Sequence, residues 1–267
     1  MIRAVFVPDG FVRRIEKGSV AILRNELSGV DDEVLWRRAE ALGVDTGRGS
    51  IWRTRLGDLE LVMRDYRRGG LLRALLPDVF ASPRRACREL EVSVLLARAG
   101  VPTIEVMGAV ARRRGPGWQL RLVTRRLDGA TDLVAFAAEH PRHRHAAVRA
   151  AGAVVAAAFA AGLAHPDLHP ANLLARLVDD AVQVVLIDLD RTRLVPRIDA
   201  PLRDAMLVRM ARWLRRHAQD LPLRPTRSDH LRFLAGMGMD RAARHVLWPT
   251  LDRRLQAALQ RRGLAAR

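Results

Sequence analysis

A single cysteine, Cys87, in 267 residues excludes a disulfide framework and any cysteine-based metal site. Its neighbours suit a half-buried helix position. Lysine is nearly missing too: Lys17 is the only one, so almost all positive charge is arginine. Aromatic side chains are few, with one Tyr and six Phe, which argues against a stacking platform for single-stranded nucleic acid and ranks nucleic acid low as a partner. Long apolar runs are missing as well. The longest, Ala150 to Ala164, is mostly alanine and falls short of the roughly 20 strongly hydrophobic residues that span a bilayer, so it reads as a buried helix. Near the N-terminus the first apolar run is broken by Pro8, Asp9 and Arg13, unlike a signal peptide. No long polar low-complexity tract occurs, which excludes extended disorder outside the arginine-rich C-terminal end.

What is present suffices for a full core, because 49% of the residues are hydrophobic and the chain can form one large domain or two lobes around a cleft. The formal charge of +17 favours anionic partners such as a nucleotide, a phosphorylated sugar or an acidic membrane face.

The most informative stretch runs from His165 to Asp190. Leu173 to Leu177 and Ala181 to Ile187 are strand-like and flank Val178-Asp179-Asp180, which predicts a hairpin. Asp167 and Asn172 precede the hairpin and Asp188 follows it, so folding brings all three to one end. Singly, each would suit a turn. Together, at this spacing, they match the signature of phosphoryl transfer, in which the first Asp orients the attacking hydroxyl and the Asn and second Asp hold Mg²⁺ against nucleotide phosphates.

Elsewhere the pattern is consistent with that reading. Residues 1–30 suggest short strands, and Asp31 to Leu42 an amphipathic helix stopped by Gly43. Gly47-Arg48-Gly49-Ser50 precedes a strand, a Gly57-Asp58 turn and a second strand ending in Leu61-Val62-Met63-Arg64. Glycines there would permit close backbone approach to phosphates, although an ordinary hairpin loop has the same composition. Arg64 is the only cation where a kinase carries its phosphate-pairing lysine. A helix from about Ser82 to Ala99 offers Glu89 or Glu91 as its partner. Strands around 105–111 and 118–124 follow, then a hinge-like Thr124 to Thr131. Helices are predicted over 132–139, 144–163 and 204–218 and towards the C-terminus. His140, His143 and His145 surround Pro141 in an arginine-rich turn and read as exposed residues rather than a metal cluster.

These motifs resemble the lipopolysaccharide kinases and, within them, the 3-deoxy-D-manno-octulosonic acid (Kdo) kinases. The resemblance is carried by Gly47-Arg48-Gly49-Ser50, by Met63-Arg64-Asp65-Tyr66-Arg67-Arg68-Gly69-Gly70-Leu71, and by Arg88-Glu89 with Gly100-Val101-Pro102. It continues through Asp128-Gly129-Ala130, His165 to Asn172, and Leu186-Ile187-Asp188-Leu189-Asp190-Arg191. It implies an α+β, bilobal, protein-kinase-like fold in a single domain, with a small β-rich N-terminal lobe (1–124) and a larger helical C-terminal lobe (125–267). It also implies transfer of the ATP γ-phosphoryl to a Kdo hydroxyl on a lipid A precursor, at the cytoplasmic face of the inner membrane. By resemblance Asp167 is the catalytic base and Asn172 and Asp188 are Mg²⁺ ligands. Arg64 binds phosphate with Glu89 as its partner, and Gly47 to Ser50 cover the nucleotide. Asp65 departs from the family's usual His, and 1–30 and 216–267 match no block. The same fold could serve another sugar or small molecule, or a non-catalytic scaffold on a membrane; retention of Asp167, Asn172 and Asp188 together argues against the scaffold. No sequence feature sets an oligomeric state.

One further segment draws notice. Leu71, Leu72, Leu75, Leu76, Val79 and Phe80 recur at helical spacing with arginines on both flanks. They suit either packing in the N-terminal lobe or contact with an anionic bilayer or glycolipid.

Overall fold

In the computed structural model the described residues are 6–37, the backbone of 40–41, 51–68 and 78–261. They form two compact units, Met1–Leu95 with Ile104–Leu127, and Leu96–Thr103 with Asp128–Arg267.

The first unit is built on strand pairing. Its strands are β1 (Phe11–Glu16), β2 (Ser19–Arg24), β3 (Glu40–Ala41), β4 (Ile51–Leu56), β5 (Leu59–Asp65), β6 (Val106–Arg114) and β7 (Gly117–Arg125), with helices α1 (Asp32–Trp36) and α2 (Arg84–Arg98). The sheet runs β1-β2-β6-β7-β5-β4-β3, every pair antiparallel. Alternation along β7 sorts the two faces. Trp118, Leu120 and Leu122 join Ala86, Cys87 and Leu90 of α2 in one core, while Val123 joins Leu27, Leu35, Leu61 and Met63 in the other. Cys87 lies deeper than its sequence suggests, and burial pushes its thiol up to about 11.

α1 is shorter than the helix expected over 31–42. Asp31 caps it by accepting the Glu33 amide at 2.8 Å. The Leu35 carbonyl, which a continuing helix would give to an amide four residues on, instead accepts from Arg121 Nη1 at 2.7 Å. Arg37 is extended, and Glu40 and Ala41 pair with Arg53 and Trp52 of β4. Arg121, 1% exposed, also donates through Nε to Asp65 Oδ1 at 2.6 Å, and Trp52 Nε1 donates to Asp65 Oδ2 at 3.2 Å. The Asp65 that departs from the family pattern thus neutralises a fully buried guanidinium.

The second unit holds β8 (Thr131–Asp132), α3 (Leu133–Glu139), α4 (Arg144–Ala160), β9 (Leu163–Ala164), β10 (Leu173–Val178), β11 (Ala181–Leu186), β12 (Arg193–Leu194), α5 (Ala200–Arg216), α6 (Arg227–Gly236) and α7 (Arg241–Gln260). Asp199 caps α5 through the Leu202 amide, and Pro201 occupies its first turn, so the helix starts before the expected Asp204. Residues 216–261, which no motif covered, fold as α6 and α7 and bury Leu234, Leu251, Leu255 and Leu259 against Leu207 and Val208. α4 and α6 touch backbone to backbone: a Cβ on Gly152 would lie 2.1 Å from the Phe233 carbonyl, and one on Gly236 would lie 2.0 Å from that of Arg149. An ion pair between Arg144 and Asp229 fastens the same two helices. Burial pushes the Asp229 carboxyl up, but bonds from Arg144 and Thr226 outweigh it and hold the group below its usual range. No helix among the described residues is long and apolar enough to cross a membrane.

Candidate active site

The hairpin predicted from Asp179-Asp180 is β10–β11. Its two-residue turn has φ of 48° and 62°, the positive values that a tight hairpin needs and that Asp tolerates. Register Leu173↔Leu186 sets Asn172 opposite Ile187, whose amide donates to the Asn172 carbonyl at 2.9 Å. Asp188 follows directly, at φ 58°, and turns the chain sharply out of β11. A turn closed by Thr192, whose Oγ1 donates to the Leu189 carbonyl at 2.6 Å, then secures the exit.

Asp167 sits on the loop entering this hairpin. Its backbone is fixed from two sides: its amide donates to His165 Nδ1 at 3.1 Å, and its carbonyl accepts from Asn172 Nδ2 at 2.8 Å. The carboxylate itself is 47% exposed, with Oδ2 3.9 Å from Nε2 of the buried His169. His165 is 3% exposed and is pulled down to about 4 by that burial, against the opposing pull of the Asp188 and Asp167 carboxylates. It is therefore neutral near pH 7 and holds the loop without adding charge.

Asn172 is 4% exposed. Because its amide nitrogen is committed to Asp167, its Oδ1 remains as an oxygen donor. With the half-buried Asp188 carboxylate this is a hard, all-oxygen donor set of the kind Mg²⁺ takes. No cluster of three or more His, Cys, Asp or Glu occurs among the described residues, so any Mg²⁺ here would rely on few protein ligands, as is usual where phosphates complete the sphere.

In the strand-rich unit Arg64, on β5, donates from Nη2 to Glu89 Oε1 of α2 at 2.6 Å. The other Glu89 oxygen accepts from Tyr66 OH. Glu89 is 2% exposed at its side chain and Arg64 27%, so the carboxylate is sunk while part of the arginine side chain reaches the surface. The Tyr66 ring is covered by two cations, with Arg64 Cζ 5.0 Å and Arg85 Cζ 5.3 Å from its centroid. Gly47, Arg48, Gly49 and Ser50 lie outside the described residues, as does Leu71 to Pro77. Of that apolar segment, Val79 and Phe80 are buried, and Phe80 exchanges both backbone hydrogen bonds with Trp118.

Sequence reasoning passed over three residues near these groups. Tyr66 is the only tyrosine, and its place in the Arg-x-Tyr-Arg-Arg run was a usable signal. His165 and His169 bracket Asp167 in the sequence, but a histidine that grips a backbone reads there like any other. Of the three histidines expected to be exposed, His140 and His143 are half-buried, their rings edge-on with centroids 6.4 Å apart, and only His145 is exposed; His140 also lies against Phe136, ring centroids 4.5 Å apart, and His143 Nε2 is 3.1 Å from Asp180 Oδ1.

Known proteins bear on this geometry. A model described as the lipopolysaccharide kinase (Kdo/WaaP) family matches residues 32–236. The 3-deoxy-D-manno-octulosonic acid kinase of Vibrio parahaemolyticus is 30% identical over 167 residues, 61% of this chain and 68% of that one. The enzyme of the same name from Xylella fastidiosa is 30% identical over 182 residues, 66% and 70% of the two chains. A solved structure of WaaP in complex with acyl carrier protein matches with a TM-score of 0.59 at 20% identity, covering 89% of this chain and 98% of its own. That likeness concerns the fold, and it agrees with a β-sheet N-terminal region followed by a helical C-terminal part. Since the family match takes in most of the sequence, from α1 to the end of α6, the chain belongs to the lipopolysaccharide kinase (Kdo/WaaP) family and is an ATP-using phosphotransferase.

Proposed function

We propose that this kinase phosphorylates a hydroxyl of the lipopolysaccharide inner core, Kdo on a lipid A precursor, with Asp167 as the base. The observation that supports it best is the half-exposed Asp167 carboxylate on a loop pinned through its amide and carbonyl. The acceptor oxygen bonds to the γ-phosphorus, the bridging P–O bond to ADP breaks, and the hydroxyl proton passes to Asp167. Asn172 Oδ1 and the Asp188 carboxylate are the proposed Mg²⁺ ligands; bound there, the ion would neutralise phosphate charge. Arg64, steadied by Glu89 and Tyr66, is the proposed phosphate-binding cation, and Gly47 to Ser50 the proposed nucleotide-covering loop. The working unit is the whole chain, 1–124 as N-terminal lobe and 125–267 as C-terminal lobe. The Kdo acceptor is supported by the names of the relatives at about 30% identity.

Phosphoryl transfer from ATP to Kdo-lipid A, compared with an acceptor lacking Kdo, tests the substrate. Asp167→Asn tests the base: turnover should fall about 10²- to 10⁴-fold with nucleotide affinity little changed. Near-wild-type turnover in that variant would remove Asp167 from the chemistry. The +17 charge supports a peripheral position on the anionic cytoplasmic face of the inner membrane. Flotation with anionic but not neutral liposomes is the expected result, and equal behaviour with both would refute it.

A further inference from the structure

At one end of the seven-stranded sheet two hairpin turns lie side by side. Ser19 of β2 pairs with Arg112 of β6, and the Gly18 carbonyl accepts from the Arg113 amide at 2.7 Å. This register sets the turn of Lys17, the only lysine of the chain, beside Arg113 and Arg114. Strand partners share a face of the sheet. Arg13 (opposite Ile22), Ile15 (opposite Val20) and Arg113 (opposite Trp118) therefore all stand on the side whose core includes α2. These three and Lys17 are exposed, Ile15 to 57%. Arg113 lies over the Trp118 ring, with Cζ 4.4 Å from its centroid. Phe80, joined to Trp118 by both backbone hydrogen bonds, carries two more cations, Arg68 at 5.4 Å and Arg85 at 5.1 Å. Two carboxylates at this end are already engaged, Glu16 with Arg14 and Asp78 with Arg114.

We propose that this margin, centred on Arg13, Lys17 and Arg113 with Ile15 among them, is the surface by which the protein docks on an anionic phospholipid bilayer. Three physical points carry this. Cations gathered on adjacent hairpin turns meet a flat anionic surface together, and each one strengthens binding about fivefold. A guanidinium laid on an aromatic ring keeps the edge of its planar fork for a lipid phosphate, and the ring beneath limits the freedom lost on binding. Ile15 is a large apolar side chain held in water among cations, and it gains by entering the boundary between headgroups and acyl chains. Nucleic acid fits this surface poorly, because Trp118 and Phe80 are buried and offer no face for a base to stack on.

The inference rests on the peripheral position proposed above and names the face responsible for it. Binding to phosphatidylcholine vesicles, with and without phosphatidylglycerol, separates the two. The triple variant Arg13→Gln, Lys17→Gln, Arg113→Gln should bind the anionic vesicles about 10- to 100-fold more weakly than wild type. A second triple, Arg227→Gln, Arg241→Gln, Arg253→Gln, removes the same charge from exposed positions of α6 and α7. It should bind within about threefold of wild type, because charges beyond the Debye length from the lipid are screened. Location is read directly by an environment-sensitive fluorophore on Ile15→Cys or on Arg253→Cys, each in a Cys87→Ala background. Anionic vesicles should shift the emission to the blue for Ile15→Cys and leave it unchanged for Arg253→Cys. If wild type treats both kinds of vesicle alike, the peripheral position and this surface fall together. If wild type prefers the anionic vesicles but both triples weaken equally, or only the Arg253→Cys label shifts, this surface is refuted and the peripheral position stands. The labelled variants remove no charge from the hairpin turns, so they decide the question even where the first triple fails to fold.

Discussion

The strand-rich unit buries its polar side chains as charged pairs, Arg121 with Asp65 and Arg64 with Glu89, whereas the loop around Asp167 in the helical unit is held by the neutral His165, by the Asn172 amide and by a Trp–His stack. The difference follows from what each must hold. Arg121 and Arg64 reach across from one strand or helix to another, over distances where a long cation and a carboxylate both fit and neutralise each other. If Asp167 is the base, as proposed, an extra cation beside it would suppress the basicity that a proton-accepting carboxylate needs. Neutral donors and acceptors fix its backbone without that penalty, the neutral His165 through a single ring nitrogen and Asn172 through its amide. Charged pairs thus tie the framework, and His165 and Asn172 hold the backbone at Asp167, the proposed base.

The largest effect should come from breaking a framework pair. Arg121→Ala removes the buried guanidinium that neutralises Asp65 and donates to the Leu35 carbonyl, and should cost about 3–5 kcal/mol of unfolding free energy in urea. A loss below about 1 kcal/mol would mean that the pair contributes little and that the contrast between the units is one of appearance. Next in size is the pH response of the helical unit. His165 titrates near 4 in the folded chain and near 6.5 when unfolded, so between those values the unfolded state binds a proton that the native state does not. Its stabilising contribution is complete above about pH 6.5 and is lost as pH falls towards 4, on the order of 3 kcal/mol. His230, whose pKa burial also lowers, adds to the same acid loss. Unfolding measured from pH 7 to 5 should therefore show falling stability, and His165→Asn should flatten the curve; an unchanged slope in that variant would assign the acid sensitivity elsewhere.

The smallest effect sharpens the comparison at Arg64. Lysine keeps the charge but loses the planar fork that serves both Glu89 and a phosphate, so Arg64→Lys should raise KM for ATP about tenfold, near 1.4 kcal/mol. Glu89→Ala should share part of that loss, and a double-mutant cycle should show the two coupled. Independent effects would remove Glu89 as the functional partner of Arg64 and leave Glu91 to test.

Much of this was readable along the chain because it depends on neighbours in sequence. The β10–β11 hairpin follows from Asp179-Asp180 between two β-branched runs, and the grouping of Asp167, Asn172 and Asp188 at one end follows from closing that hairpin. The strands on either side of Gly57 and the helix that carries Glu89 were equally local. The α1 pattern misled for a reason of the same kind: 31–42 alternates as a helix should, but the carbonyl that would continue it is taken by a residue far away.

By itself the sequence determined the elements whose signals lie within a few residues: period, caps, turns, and the order of the chemical groups. Tertiary structure alone decided which buried charges meet, since Arg121 finds Asp65 and Leu35 at separations of 56 and 86 residues. It also decided that α4 and α6 close on Gly152 and Gly236, and that Trp213 of α5 stacks on His169. The physical reason is that periodicity reports which face of an element is buried, while the partner on that face is chosen by the whole packed core.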